Sequence, residues 1–324
     1  MSTNETDSSV DQYKHIPVLL TEAVNALNLK KDGTYIDATL GGGGYSEAIL
    51  EKTGTGAKLL SIDLDNDAIG NFKKSEVYKQ NESRVILCHG NFRDIDKYVG
   101  EHDLKDLAGI VADIGLSSHQ LDGSGRGISF QKRELLDMRF DQTGKSATAS
   151  FLLNTYSESE IRKWLEDYGE DPNSARIARK IVQYREKEKL RFTTDLVECI
   201  KQSLPKPIQH KWEDTARRIF QAIRIVVNHE LDSLNEFLPK AWDVLAPGGR
   251  LVIVSFHSLE DRIVKQFFLS VTKGCVCPPE FPTCVCGKEP LGKILTKKPV
   301  TAGEEEIKNN SRSIPGKLRA IEKY

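Results

Sequence analysis

The chain has 324 residues, of which 39% are hydrophobic and 29% are charged, and its formal net charge is −1. This length accommodates one large domain with an insertion, or two domains. No apolar run is long enough to cross a bilayer, and the polar, acidic residues 1–12 lack the hydrophobic core of a secretory signal. We therefore expect a cytoplasmic protein that makes no membrane contact and has a disordered tail at residues 1–12.

Short apolar runs alternate with helical patterns in the first third of the chain, which predicts a parallel sheet with crossover helices. Helices are expected to begin near Ser46 and at Asp65 or Asn66. The expected strands are Tyr35–Thr39, Lys58–Asp63, Arg84–His89 and Leu107–Ile114.

Residues 123–214 contain helical patterns but no convincing buried strand, which predicts a helical insertion. Helices are expected at Ser157–Tyr168, Ser174–Lys187 and Thr193–Ser203. We assign residues 13–122 and 215–324 to one α/β domain that this insertion interrupts.

The α/β pattern resumes after the insertion. A helix start at Ser258 is suggested by Asp261 three residues later, which is the spacing of a capping box. The predicted elements are a long helix near Thr215–Phe237, the strand Arg250–Ser255 after a turn at 247–249, a helix from Ser258 to about Val271, and strands at Lys293–Pro299 and Lys317–Glu322.

A glycine run, 41–44, follows the first strand and precedes a helix. Glycine allows the backbone to approach a ligand, and the helix N-terminus offers N–H groups. Asp63 ends the next strand, where a carboxylate accepts hydrogen bonds from ribose hydroxyls, so we expect a ligand that contains adenosine. These features do not separate a nicotinamide cofactor from S-adenosylmethionine, and the glycine run alone also suits a tight turn without a ligand.

Three further features favour methyl transfer. Asp113 closes the fourth strand, where it would face a reacting methyl group, and LAPGGRL at 245–251 is typical of the run into a methyltransferase's fifth strand. The last two strands suit the antiparallel hairpin that ends such sheets. We predict the class I S-adenosylmethionine methyltransferase fold: α/β, Rossmann-like, with a mostly parallel seven-stranded sheet, an antiparallel last strand and a helical insertion domain.

Longer motifs extend this prediction across nearly the whole chain, from His15 to Lys323. Together and in order, they resemble the RsmH (MraW) family of 16S rRNA cytosine-N4 methyltransferases. The motifs are HIPVLLTE at 15–22, DIGLSSHQLD at 113–122, RGISF at 126–130, LDMR at 136–139, RIFQAIRIVVN at 218–228, SFHSLEDR at 255–262, and SRS with KLR at 311–313 and 317–319.

The resemblance implies S-adenosylmethionine as the cofactor and a decoding-centre cytidine of 16S rRNA, in the small ribosomal subunit, as the substrate; it implies no DNA substrate. Tyr45 stands where the family usually has His. Phe92 also suits an apolar wall against adenine, or a core position. The cofactor-binding residues that the resemblance implies are Gly43, Gly44, Tyr45, Asp63, Phe92, Asp113 and Gln120.

The N4 lone pair of cytosine is delocalised into the ring, so acceptors around the amino hydrogens would help the reaction. Asp113, Ser117 and Ser118 follow the fourth strand and are our candidates for the wall that faces the amine. His257 follows the fifth strand and is a fourth catalytic candidate. The serines also suit capping or turn bonds, and His257 equally suits a hydrogen-bonded structural histidine.

Candidate RNA contacts lie in several places. Basic residues gather at 176–191 and 288–323, and a polar stripe recurs at helical spacing in Arg217, Gln221, Arg224 and Asn228. Each also suits a solvated helix face. We expect the insertion to lie over the crevice and recognise folded RNA, with the target base turned out of its stack.

Four cysteines, Cys275, Cys277, Cys284 and Cys286, lie in a proline-rich loop. In a cytoplasmic protein this pattern favours one structural zinc ion over disulfides, although C-x-C is tighter than the commoner C-x-x-C and free thiols remain the alternative. The resemblance implies that these cysteines are not essential to the chemistry, since many family members lack them.

Three other functions compete with this interpretation. A DNA amino-methyltransferase would typically have Pro-Pro-aromatic after the fourth strand, where this chain has Ile114-Gly-Leu-Ser-Ser. A nicotinamide-dependent oxidoreductase is disfavoured because Ser46 occupies the third glycine position. A non-enzymatic RNA-binding factor is disfavoured by intact Asp63, Asp113 and Gln120. The oligomeric state, monomer or homodimer, stays open.

Overall fold

A computed structural model of the chain describes residues 17–115, 125–144, 146–275, 277, 281, 283 and 286–324. Predictions for the tail 1–12 and for Ser117, Ser118, Gln120 and Cys284 lie outside the described residues.

A seven-stranded sheet forms the centre of the molecule, in the order β3-β2-β1-β4-β5-β7-β6. Strands β1 to β5 are parallel, whereas β7 is antiparallel to both of its neighbours, β5 and β6. The predicted fold class is therefore confirmed. The strands are β1 (Thr34–Asp37), β2 (Lys58–Asp63), β3 (Val85–His89), β4 (Leu107–Asp113), β5 (Leu245–Ser255), β6 (Gly292–Ile294) and β7 (Lys317–Lys323).

The chain order reverses between β1 and β4, which lie side by side with Asp37 opposite Val111. Strands after β1 extend the sheet in one direction, and strands after β4 extend it in the other. Such a switch point leaves a crevice at the carboxyl ends of the strands, where open α/β sheets bind ligands.

Helices cover both faces of the sheet, and a second group of helices packs together beside it. The helices are α1 (Leu20–Leu27), α2 (Gly44–Lys52), α3 (Asn66–Lys74), α4 (Glu76–Asn81), α5 (Ile95–Glu101), α6 (Ala149–Thr155), α7 (Glu158–Gly169), α8 (Ser174–Arg185), α9 (Thr193–Ser203), α10 (Trp212–Asn228), α11 (Glu230–Val244), α12 (Ser258–Thr272) and α13 (Glu304–Asn309).

Burial of apolar side chains explains both the sheet with its covering helices and the second group of helices. The interior of β2 is buried on both faces because helices pack on each side, which accounts for its continuous apolar run. The second group of helices encloses its own apolar core, to which α7, α8 and α9 contribute Ile161, Ile177 and Ile200, all fully buried. These helices therefore pack as a unit, whereas the insertion and its bounds, 123–214, stay a prediction.

The single long helix that we predicted near Thr215–Phe237 is wrong. His229 adopts a left-handed conformation with φ of 51°, which ends α10 and starts α11. Residues of α10, such as Ile219 and Ile223, pack in the helical core, whereas Leu234 of α11 packs against the sheet. Because of this break, the apolar residues before His229 pack in the helical core and those after it pack against the sheet.

Helix α12 begins at Ser258 as predicted, but its cap is different. Its capping box joins His257 and Glu260, one residue earlier than the predicted pair of Ser258 and Asp261. Asp261 instead pairs with Arg319 on β7, with Nε and Oδ1 separated by 2.6 Å. None of the helices in the described part of the chain is long and apolar enough to span a bilayer.

Candidate functional site: a cleft at the carboxyl ends of the strands

A cleft of about 1020 Å³, open to solvent, lies at the switch point of the sheet. Its walls come from the loops after β1, β2, β3 and β4, from the start of α11, and from the segment that leads into the helical unit. Of the residues that we predicted to bind a cofactor, Gly44, Tyr45, Asp63, Phe92 and Asp113 line it.

The glycine run fits closely against its neighbours. Gly43 caps α2 with φ of 84°, and a Cβ there would lie 2.4 Å from the ring of Phe72. A Cβ on Gly44 would lie 2.0 Å from Pro17. Glycine is therefore required at both positions, by backbone conformation at the first and by lack of space at the second.

Asp63 lies beside this loop at the end of β2. Its two carboxylate oxygens accept the N–H groups of Gly41 and Asp65, each at 2.7 Å. Burial raises the pKa of Asp63 to about 6, although the two backbone N–H groups oppose that shift. The bonds fix the orientation of a carboxylate that faces the cleft, which suits it to accept hydrogen bonds from two adjacent hydroxyls.

A buried polar group that the sequence analysis missed supports the glycine loop. Asp37, fully buried at the end of β1, accepts a hydrogen bond from Ser46 Oγ at 2.7 Å. Ser61 Oγ lies 2.8 Å from the same hydroxyl. Burial raises the pKa of Asp37 to about 6. This network joins α2 to β1 and β2 and explains why Ser46 replaces a third glycine.

Asp113 ends β4 on the floor of the cleft. Its backbone N–H donates to Thr39 Oγ1 at 2.7 Å, and one carboxylate oxygen accepts a long bond of 3.4 Å from Gly115 N. Burial raises the pKa of Asp113 to about 7, and the nearby carboxylates of Asp37 and Glu260 add to the shift. Asp113 can therefore exchange a proton near neutral pH.

An apolar wall lies beyond Asp63. Phe92 packs edge-to-face on Phe237, with ring centroids 5.0 Å apart. Leu234 lines the same part of the cleft, and Asn91 Nδ2 donates to Ser233 Oγ at 3.1 Å. A flat heteroaromatic ring such as adenine would fit against this wall.

Tyr45, which stands at the position of a usual histidine, is buried behind the glycine loop. Its hydroxyl donates to the carbonyl of Val18, and burial raises its pKa well above the ordinary value. The phenol therefore stays neutral and attaches α2 to the segment before α1, a structural bond that leaves the backbone N–H free to take part in binding.

A strap over residues 125–140, the segment that leads into the helical unit, closes one side of the cleft with Phe140. Arg126 anchors the strap through a buried ion pair with Asp65, whose separation is 2.9 Å, and donates to the carbonyl of Phe140 at 2.7 Å. Asn228 at the end of α10 accepts the N–H of Phe140 and donates to Met138 O, both at 2.8 Å. Sequence patterns gave no signal for this strap because its anchors are distant along the chain.

His257 does not line the cleft, whereas Glu260, which the sequence analysis did not select, does. His257 Nε2 lies 2.9 Å from Glu260 Oε1, out of line for a hydrogen bond. The other carboxylate oxygen of Glu260 accepts the N–H groups of Phe256 and His257, at 2.8 and 3.1 Å. The catalytic role of His257 stays a prediction, because its side chain contacts Glu260 but does not itself line the cleft.

The polar stripe on α10 serves several purposes. Arg224 forms a two-pronged ion pair with Glu230, at 2.8 and 2.9 Å, and both side chains are largely buried. Burial lowers the pKa of Arg224, but the carboxylates of Glu230 and Glu260 outweigh this and raise it. Gln221 donates weakly to Tyr168 O, and Arg217 is exposed beside Asp214. Only Arg217 thus resembles the solvated face that was the alternative interpretation.

Comparison with known proteins identifies the family. The model of the MraW methylase family matches residues 12–324. The chain belongs to the MraW methylase family. Ribosomal RNA small subunit methyltransferase H of Heliobacterium mobile is 47% identical, and the alignment covers 96% of this chain and 99% of that protein.

Further relatives agree. The protein of the same name from Clostridium botulinum (strain Kyoto / Type A2) is 46% identical, with 96% of this chain and 99% of the relative covered. Among solved structures, an rRNA methylase from Streptococcus thermophilus is 10% identical, with 95% of this chain and 97% of that chain covered. Its TM-score of 0.40 is too low to bear on the site.

Proposed function

We propose that this member of the MraW methylase family transfers a methyl group from S-adenosylmethionine to the N4 amine of a decoding-centre cytidine in 16S rRNA. The relatives that are 43–47% identical carry the name ribosomal RNA small subunit methyltransferase H, which supports small-subunit rRNA as the substrate. An rRNA substrate would place the enzyme's work in the cytoplasm.

The cleft suits S-adenosylmethionine. Asp63 would accept the ribose hydroxyls, Phe92 would lie against adenine, and the loop around Gly44 would approach the amino-acid part of the cofactor. The cofactor supplies an activated methyl group on a sulfonium centre, so the protein's task is alignment and proton handling. By the family resemblance Gln120 would complete the set.

The observation that carries the proposal is the position of Asp113. It ends β4 at the same edge of the sheet as Asp63, and burial brings its pKa to about 7. As a carboxylate it would accept a hydrogen bond from the N4 amine, draw the nitrogen lone pair out of the ring and take up the proton that methylation releases. Ser117 and Ser118 follow it in sequence and stay our candidates for the same wall.

Glu260 and Glu230 extend this acidic end of the cleft. Atoms of these carboxylates and of His257 lie within 4.8 Å of one another, and Arg224 partly balances the charge. We infer that Glu260 would accept a second amino hydrogen and that His257 acts as a positioning residue through Glu260.

The test measures methyl transfer from labelled S-adenosylmethionine to small ribosomal subunits from a strain that lacks the enzyme. Mass spectrometry of digested rRNA identifies the product. We expect N4-methylcytidine with the native protein, and a rate at least ~100-fold lower with Asp113→Asn, since a neutral amide cannot accept the proton. Asp103→Asn is the matched control, because that side chain is 83% exposed and precedes β4 at the opposite edge of the sheet.

Two other outcomes are informative. Methylation of free rRNA but not of subunits would change the substrate to the unassembled RNA. If calorimetry detects S-adenosylmethionine binding but neither RNA form gains N4-methylcytidine, the cofactor assignment stands and the substrate assignment fails. Binding of a nicotinamide nucleotide in place of S-adenosylmethionine would contradict the proposal at its first step.

A further inference from the structure

The segment between α12 and β6 forms a loop with a closed neck. Leu291 N donates to Val271 O at 2.9 Å, and a Cβ on Gly274 would lie 3.3 Å from Pro290. The chain therefore leaves the fold and rejoins it at one place. We call residues 272–290 the cysteine loop.

The cysteine loop lies at the edge of the sheet opposite the cleft. Strand β6 is antiparallel to β7, which is antiparallel to β5, so β6 begins at the edge where β5 begins. Helix α12 starts near the cleft, after β5, and its 15 residues extend about 22 Å towards the other edge, at a rise of about 1.5 Å per residue.

Little apolar burial holds this loop together. Among its described residues beyond Thr272 none belongs to a helix or strand, Phe281 is 50% exposed, and Cys275 and Cys286 are exposed. Ordering a loop of this length costs conformational entropy that burial would normally offset. A bound metal ion would offset that cost.

The cysteine sulfurs supply a candidate. The Sγ atoms of Cys275, Cys277 and Cys286 all lie within 4.8 Å of one another. Cys286 Sγ is 3.8 Å from Cys275 Sγ. Two thiolates bound to zinc at about 2.3 Å in tetrahedral geometry would be separated by about 3.8 Å. The N–H of Cys277 also points to Cys275 Sγ at 3.4 Å, which stabilises negative charge on that sulfur.

We propose that Cys275, Cys277 and Cys286 bind one structural zinc ion that closes the cysteine loop. Soft thiolates favour zinc among the common divalent ions of proteins. The sequence places Cys284 two residues before Cys286, the same spacing that separates Cys275 from Cys277. Cys284 lies outside the described residues, and its role as a ligand stays a prediction from the sequence.

Metal content tests the proposal directly. The full chain, purified with a reductant, is expected to contain one zinc ion per chain by plasma mass spectrometry. Cys275→Ser and Cys286→Ser should each lower this content at least ~10-fold. Cys88→Ser is the matched control, since Cys88 is a buried thiol on β3 outside the cluster, and it should keep the metal.

Cobalt(II) absorption reports the ligands and the coordination geometry of the metal site in the native chain, without any mutation. Cobalt(II) added to the reduced, metal-free native chain should give the strong thiolate charge-transfer and tetrahedral absorption bands of a sulfur-rich site. A native chain that contains no zinc and gives no such bands would overturn the proposal, as would equal loss of metal from Cys88→Ser.

Zinc binding in the cysteine loop should not affect cofactor binding in the cleft. The affinity of the metal-free chain for S-adenosylmethionine, measured by calorimetry, should stay within about two-fold of that of the zinc-loaded chain. Protease cleavage within the cysteine loop should instead become faster at least ~10-fold. A chain without zinc that resists cleavage as well as the loaded chain would contradict a structural role for the metal.

Discussion

Three aspartates at the carboxyl edge of the sheet are costly to ionise in the folded protein, and two of them, Asp63 and Asp113, line the cleft. Asp37, Asp63 and Asp113 lie at or near the ends of adjacent strands, and burial raises the pKa of each. Ionising these carboxylates costs more free energy in the folded protein than in the unfolded chain, so their ionisation lowers the stability of the fold. A cationic cofactor in the cleft would recover part of that cost, so the same residues would reduce stability and favour binding.

Asp113→Asn should therefore stabilise the free protein at high pH. Its folded pKa of about 7 exceeds the unfolded value, so between these values the folded state binds more protons and stability falls as pH rises. The amide does not ionise, so the variant should gain about 1–2 kcal/mol at pH 8, a discounted share of about 1.4 kcal/mol per pKa unit, and nothing at pH 4. Denaturant unfolding at both pH values measures this difference.

Asp103→Asn serves as the control, since the exposed carboxylate should give no such pH-dependent gain. An Asp113→Asn variant as unstable as the native protein at pH 8 would mean that the Asp113 carboxylate is solvated in the free cleft.

At the scale of elements, the strap at residues 125–140 connects the helical unit to the loops that line the cleft. Asp65 caps α3, accepts from Asp67 N at 3.0 Å and receives Arg126 on its carboxylate. The Asp65 N–H in turn bonds to Asp63. The Arg126 ion pair thus stabilises the position of Asp63, the proposed ribose-binding carboxylate, as well as that of Phe140.

Arg126→Met should weaken S-adenosylmethionine binding by about 10–100-fold, equivalent to about 1.4–2.8 kcal/mol, because Asp65 would be left buried without its partner. The double variant Arg126→Met/Asp65→Asn should lose less binding free energy than the sum of the losses in the two single variants, since the pair acts as a unit. Calorimetry measures each affinity.

The control for this cycle is Arg162→Met, which breaks a half-exposed pair with Glu166 on α7 and should leave the affinity unchanged. Strictly additive effects of Arg126→Met and Asp65→Asn would show that the ion pair does not link the strap to the cleft.

At the scale of the whole molecule, two cores meet at the cleft. The helical core includes residues of α10, although this helix begins near the end of the predicted insertion of residues 123–214 and continues beyond it. By its contacts α10 packs with the helices of the insertion. The domain boundary itself stays a prediction. The exposed side chains of Arg176, Arg179 and Lys187 give the helical unit a basic surface. We infer that this surface contacts rRNA phosphates.

Changing Arg176, Arg179 and Lys187 to Gln together should raise the KM for small subunits about 10-fold or more while leaving S-adenosylmethionine affinity unchanged. The salt dependence of subunit binding should also become shallower, because fewer counterions are released. Filter binding over a series of salt concentrations measures the slope.

A matched triple change of exposed lysines on the sheet domain, Lys52, Lys97 and Lys105, should leave both quantities unchanged. If both triple variants lose the same affinity, the contact is a general charge effect and this basic surface of the helical unit is not the RNA interface.

Local patterns in the sequence determined much of this molecule. Strand β2 and helix α9 have the predicted bounds, because an apolar run between turn residues and a helical repeat are local signals of burial. The ordered motifs identified the family, and the positions of Asp63 and Asp113 at strand ends placed both beside the cleft.

Only the tertiary structure decided how distant segments meet. Arg126 and Asp65 are 61 positions apart, and Phe140 and Asn228 are 88 apart, so no local period links them. The sequence pattern did not predict the break at His229, because the apolar repeat continues through it. The residues before and after His229 nevertheless face different cores. Periodicity states that a face is buried; the packed fold alone determines which residues cover it.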